Sequence, residues 1–392
     1  MRVYFVCHSN LATGGTELLH QLSSCLTNYG IENYMVYPNA DGIHCPTPPS
    51  FMKYNVKYVS RYIDSPDSIL ILAETQVHLI SECQKGTAMI WWLSVNNYLL
   101  SYQDRITEDN IDVFNLKERP NLVHFVQSYY AQDFVNTFFN PTNCHFLMDY
   151  INDDIVAWAN THKDSYSRKN ICLYNPKKGY DTLEPIIAAC RKDITWIPLI
   201  NMTPTQMADT MCHAKLYIDF GTHPGKDRIP REAAVCGCCI LTNQEGSAAY
   251  QNDVNIPERY KLEYPQDINA TLDVIYELVD NYDSHIAEYA PYRESILLEK
   301  DAFFADAKKA GLLMLEKAAE KKATIPDLDL TPHPQILDSI GSASLKIRDL
   351  TDCAKNACGS NDASALMDHL LNIDYILQVM RETIYAELED IM

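Results

Sequence analysis

Between residues 2 and 321, short apolar runs alternate with longer stretches whose apolar positions recur at helical spacing, and the alternation occurs twice. In the first round, RVYFVC (2–7), NYMVY (33–37), ILILA (69–73), AMIWWLS (88–94) and LVHFVQS (122–128) read as buried strands from their β-branched and aromatic content. TELLHQLSSCLTNYG (16–30) places Leu18, Leu19, Leu22, Cys25 and Leu26 on one helical face and stops at Gly30. A further helix fits around AQDFVNTFF. The second round has strands NICLY (170–174), ITWIP (194–198), KLYIDF (215–220) and CCILT (238–242), with helices TLEPIIAACRK, TPTQMADTMCHA and REAAVCG between them. Thr203 and Pro204 suit the N-cap and first position of the second of these helices. Alternation of this kind predicts parallel sheets covered by helices on both faces. The expected fold is α/β, with two doubly wound halves joined in the polar stretch 152–170. A long helix is expected over 301–321, a linker over 323–334 and a helical tail over 334–392, the last a candidate for self-association.

Composition narrows the function. The net charge of −20 argues against duplex nucleic acid as a partner, because phosphate binding needs a basic face. Positive charge concentrates at Lys226, Arg228 and Arg231. The 13 cysteines are odd in number and irregularly spaced, which predicts reduced thiols rather than a disulfide framework. The C-x-x-C within CGCC (236–239) reads as small apolar residues packing a helix onto a strand rather than as a metal or redox site. No signal-peptide pattern and no membrane-length apolar run are seen, so the expected location is cytoplasmic, with peripheral attachment at the inner face of a membrane as a variant.

Three loops follow strands and open helices. SNLATGGTE (9–17) puts Gly14 and Gly15 at a helix N-terminus, where backbone can approach an anion. A tight turn with Glu17 complementing the helix dipole is the plainer alternative. YNPKKGYD (174–181) offers Lys177 and Lys178 before Gly179; a lysine there reaches a phosphate as a point charge, or the loop is a solvated turn. HPGKDRIPREAA (223–234) gathers Lys226, Asp227 and Arg228 before a helix that carries Glu232. Asp219 ends the preceding strand, where open α/β sheets place ligand groups. The dinucleotide fingerprint, the Walker loop, the G-x-S-x-G elbow and H-E-x-x-H are absent, and no metal site is expected; the carboxylates Asp327 and Asp329 read as a solvated turn.

Together these segments resemble the GT-B glycosyltransferases, most of all the family-4-like group of bacterial capsule, O-antigen and surface-polysaccharide enzymes. IWWLSVNNY, VQSYYAQDF, LYNPKKGYD, IDFGTHPGKDRIPREAA and GSAAYQNDV carry the likeness, over residues 1–320. The resemblance implies two Rossmann-like domains facing a cleft: an acceptor domain (1–155), a nucleotide-sugar domain (165–300), a return helix (301–322) and the extra tail. It implies that Lys178, with Lys177 beside it, holds the donor diphosphate, that Glu232 contacts the ribose, and that Gly14 and Gly15 approach the diphosphate or the acceptor. One departure is plain: many family members place a Glu eight residues before the position of Glu232, and here Pro224 stands there, beside His223. Lys226, Asp227 and Arg228 are expected to take over part of that residue's task.

The function expected is metal-independent transfer of a sugar from a nucleotide-sugar donor to a glycan or lipid-linked acceptor, with no cofactor. Fixed cations and helix N-termini can stabilise the departing diphosphate. Glu17, Glu74 and His223 are the candidate catalytic groups, with His8 at the end of strand one as a further candidate. A sugar-nucleotide epimerase and a non-catalytic, partner-dependent sugar-nucleotide-binding subunit are the alternatives.

Overall fold

The computed structural model describes residues 1–38, 45–163, 165–323 and 345–353, together with Ile373 and Leu377. The chain divides into two compact units, Met1–Thr324 and Ile325–Met392. In the second unit, residues 345–353 are helical; of the expected linker (323–334) only position 323 is described, as the end of a helix, and the rest of the expected tail (334–392) lies outside the described residues apart from those two isolated positions.

The first unit contains two parallel sheets. The first half comprises strands β1 (Arg2–Val6), β2 (Asn33–Val36), β3 (Tyr58–Val59), β4 (Ser68–Ala73), β5 (Thr87–Trp92), β6 (Val123–Val126) and β7 (Cys144–Phe146). Helices α1 (Gly14–Asn28), α2 (Val95–Ser101) and α3 (Tyr129–Phe138) accompany them. The second half comprises β8 (Lys169–Tyr174), β9 (Thr195–Pro198), β10 (Ala214–Asp219), β11 (Cys239–Asn243) and β12 (Lys261–Leu262). Its helices are α4 (Asp153–His162), α5 (Tyr180–Ala189), α6 (Pro204–His213), α7 (Arg228–Val235), α8 (Ile268–Asp280), α9 (Tyr282–His285) and α10 (Ala290–Ala323). The sheet orders are β3-β2-β1-β4-β5-β6-β7 and β12-β11-β10-β8-β9.

Both sheets are doubly wound as the alternation predicts. The central strands are buried on both faces, as SILILA shows over its whole length, which is why they read as continuous apolar runs. In the first sheet the order reverses between β1 and β4, and in the second between β8 and β10. Ligands of open α/β sheets sit outside the strand ends at such reversals. The loops after β1, β8 and β10 are the three singled out from the sequence.

The stretch read as the joint holds a helix. In α4, Ile155 and Ala159 are buried with Leu183, Met211 and the rest of the second core. Its polar residues form the outer face, so polarity marked an amphipathic helix rather than a linker. The return helix is longer than expected. Tyr292 and Ile296 near its start belong to the second core, whereas Phe303, Ala307, Ala310 and Met314 belong to the first. One continuous helix thus braces both halves.

Candidate functional site

The facing strand ends enclose a cavity of about 730 Å³. The first half lines it with the loop after β1, the end of β4 and the segment after β5; the second half lines it with Asn175, Lys178, Asp219 and the run 224–230.

Backbone contacts bring the halves together. Val95 N–H donates to the Pro224 carbonyl (2.9 Å). A Cβ on Gly225 would sit 2.2 Å from the Leu93 carbonyl oxygen, so only glycine allows that approach. The Pro224 carbonyl thus joins the two halves through the main chain. Asp253 adds a further link, accepting from the N–H groups of Tyr129 (2.9 Å) and Tyr130 (3.0 Å) at the start of α3.

Gly14 and Gly15 line the cleft as the first residues of α1, which Thr13 and Thr16 cap reciprocally. A Cβ on either would meet only ordinary contacts, at 3.7 Å from Arg228 and 3.5 Å from Leu93. The protein itself tolerates a side chain there, so the bare backbone leaves space on the cleft side. Gly179 is different: φ is +63°, and a Cβ would lie 2.3 Å from the Phe220 carbonyl oxygen. It sets Lys178 against the loop after β10. Lys177 is exposed and is not among the lining residues.

Each cation of the predicted cluster has a carboxylate partner. Lys178 Nζ donates to both oxygens of Asp227 (2.9 and 2.8 Å). Lys226 Nζ pairs with Glu299 (2.7 Å). Arg228 pairs with Glu17 (2.5 Å) and lies 3.6 Å from Asp149. Arg231, fully buried, bonds Asp149 (2.8 Å) and Glu299 (2.6 Å) and the carbonyls of Lys226 (2.7 Å) and Asp227 (3.1 Å). Asp149, at the exit of the first half, and Glu299, on α10, carry no local motif. Neither was identified from the sequence.

The catalytic candidates separate. Glu17 is engaged by Arg228, Tyr54 (2.7 Å) and Lys53 (3.5 Å) and is not among the lining residues. Burial would raise its pKa, but Arg228, Tyr54 and Lys53 outweigh burial and lower it. Glu74 lines the cleft at the end of β4 and is 3% exposed. Burial pushes its carboxyl up to about 7, against the opposing hydrogen bond from Leu93 N–H (2.9 Å). A carboxyl poised there exchanges protons near neutral pH. His8 also lines the cleft and is exposed.

His223 is fully buried behind the cleft with φ of +42°. Its Nε2 lies 3.2 Å from the Asp219 carbonyl oxygen, and its Nδ1 is 3.5 Å from Asp227 Oδ2. Burial lowers its proton affinity, yet Asp227 and Asp219 overcome this and raise the pKa. Glu232 is buried beside Arg228 and does not line the cleft; burial pushes its carboxyl up to about 7. Asp219, His223 and Asp227 bring potential metal-ligand atoms within 4.8 Å of one another. The Lys178 ammonium already occupies the Asp227 carboxylate, while Tyr217 and Gly221 donate to Asp219 (2.8 and 3.0 Å). The donor set therefore fits an internal charge network better than a metal ion.

Two parallel α/β halves, strand ends face to face and one helix running back across both, define the GT-B fold. Solved structures share it. Sucrose-phosphate synthase from Thermosynechococcus elongatus superposes with a TM-score of 0.54 at 15% identity, over 82% of this chain and 100% of that one. Anabaena HepE in complex with UDP-glucose gives 0.54 at 11% identity, over 83% and 100%. The N-terminal domain of Candida albicans trehalose-6-phosphate phosphatase gives 0.53 at 10%, over 81% and 97%. No family model and no curated protein sequence matches the chain. Among the described residues, no helix is long and apolar enough to cross a membrane.

Proposed function

We propose that the chain transfers a sugar from a nucleotide-sugar donor to a hydroxyl of a glycan or lipid-linked acceptor, without a metal, in surface-polysaccharide synthesis. The observation that carries the reading is the division of the cleft. Its second half presents Lys178, Lys226, Arg228 and the start of α7, whereas its first half presents Glu74 with a carboxyl near neutrality. The GT-B neighbour with bound UDP-glucose makes the same class of donor the first to test.

In this reading the donor diphosphate lies against Lys178 and the α7 N-terminus, where fixed charge stabilises it as it departs. Glu74 takes the proton of the attacking acceptor hydroxyl as that oxygen bonds to the anomeric carbon and the bond to the diphosphate breaks. Single displacement of this kind inverts the anomeric centre. Gly14 and Gly15 leave the backbone of α1 accessible to the substrates. Packing of the halves around the cleft limits water, and so limits hydrolysis of the donor.

A thermal-shift screen against UDP, GDP, ADP and CMP and their common sugars, with and without EDTA, tests the reading. Stabilisation by one nucleotide, unchanged by EDTA, is expected. No stabilisation by any of them removes the donor assignment. Loss of the effect in EDTA removes metal independence. Product analysis with donor alone separates the epimerase alternative: an isomerised sugar formed without acceptor replaces transfer by epimerisation.

A further inference from the structure

The Lys178–Asp227 pair differs from the other ion pairs of the cleft. It is the most exposed of them: its side chains are 31% and 19% exposed, against 17% and 16% for Arg228–Glu17, 8% and 6% for Lys226–Glu299 and 0% and 1% for Arg231–Asp149. Lys178 and Asp227 both line the cavity. Asp227 also occupies the N-cap position of α7, yet its side chain makes no capping hydrogen bond. An aspartate there ordinarily accepts from the first turn of its helix. Here both carboxylate oxygens face the Lys178 ammonium instead. Two anionic oxygens on a lysine beside a helix N-terminus reproduce the lysine contact a phosphate would make and leave the helix N–H groups unused.

A second donor for the carboxylate is in reach. His223 Nδ1 is 3.5 Å from Asp227 Oδ2, fully buried, and has no hydrogen-bond partner. We propose that Asp227 is an exchangeable counter-ion of Lys178. It covers the ammonium while the cleft is empty, and it turns to His223 and the uncapped start of α7 when a diphosphate takes the lysine.

The inference rests on the donor reading above and adds an affinity-determining residue to it. Because a carboxylate must be displaced, the site favours ligands dense in negative charge. A diphosphate displaces Asp227 more effectively than a monophosphate of the same nucleoside. Asp227 holds donor affinity down in exchange for a lysine that is never left without a partner.

Isothermal titration of the full chain with inorganic diphosphate in EDTA tests this, with inorganic phosphate for comparison. In Asp227→Asn, diphosphate should bind about fivefold to tenfold more tightly, and the preference over phosphate should narrow. Asp227→Ser keeps a capping side chain without charge and should behave alike, which separates charge from helix capping. Lys178→Ala should lose diphosphate binding, and adding Asp227→Asn to it should restore nothing. Unchanged or weaker binding in both Asp227 variants, with Lys178→Ala still deficient, overturns the exchange and leaves the donor site standing. Unchanged binding in Lys178→Ala overturns the donor assignment of that lysine, and the exchange with it.

Discussion

Replacing Arg231 by Met would test whether the buried charge network is a structural keystone. Methionine keeps the aliphatic bulk but removes the charge and every donor. Arg231 Nη2 now bonds Asp149 and the Lys226 carbonyl, Nη1 bonds Glu299, and Nε bonds the Asp227 carbonyl. After substitution Asp149, itself fully buried, would keep only Arg228 at 3.6 Å, while Glu299 would keep Lys226 at 2.7 Å. Removing one partner from a buried ion pair costs about 3–5 kcal/mol, because the remaining charge stays desolvated. The loss expected is about 4 kcal/mol, equivalent to a fall in Tm of about 5–10 °C in a unit of this size. Urea unfolding followed by tryptophan fluorescence measures it, since Trp91 and Trp92 report on the first half and Trp158 and Trp196 on the second. Adding Asp149→Asn should recover much of the loss by removing the stranded charge, whereas Glu299 stays paired with the buried Lys226. A loss below about 1 kcal/mol, as for exposed pairs, would refute the claim that these groups are desolvated.

Other outcomes follow from the same geometry. Glu74 and Glu232 have carboxyls raised to about 7 from an ordinary 4.5. A raised carboxyl favours the protonated fold, so its contribution to stability is complete below the unfolded value and lost as pH rises from about 4.5 to about 7. Glu74→Gln should flatten the decline in urea midpoint over that window; an unchanged slope would count against a buried Glu74. Gly179→Ala must hold a left-handed φ and push a Cβ against the Phe220 carbonyl. It should destabilise by about 3 kcal/mol and displace Lys178, read by unfolding and by diphosphate titration; wild-type stability would mean that the loop relaxes freely. In the folded protein a disulfide reagent should label Cys45 and Cys353, which are exposed, quickly, and Cys236, Cys238 and Cys239, which are buried, only on unfolding. Burial also pushes the Cys238 thiol up to about 12, so rapid labelling of CGCC would contradict its role as packing.

The sequence by itself determined the α/β class, the doubling of the sheet and the loops that reach the cleft. These are local properties. A strand buried on both faces has to be apolar along its length, as ILILA and AMIWW are. A loop that opens a helix announces itself by its glycines and its cap, as Gly14 and Gly179 do. The sequence reading stopped at α4, because a polar outer face hides the buried positions Ile155 and Ala159 until a neighbouring helix is in place.

Only the tertiary structure decided what the charged residues do. Lys178, Lys226 and Arg228 looked like free cations awaiting a ligand, and each proved to be paired. Arg228 meets Glu17 across 211 positions, Arg231 meets Asp149 across 82, and Lys178 meets Asp227 across 49. Glu74 and Glu17 read alike in the sequence, and only packing makes one a buried residue of the cleft and the other a partner of Arg228. Charge is written in the residue, but solvation and pairing belong to whatever packing brings beside it. In this chain that packing is between two halves and a helix that returns across both.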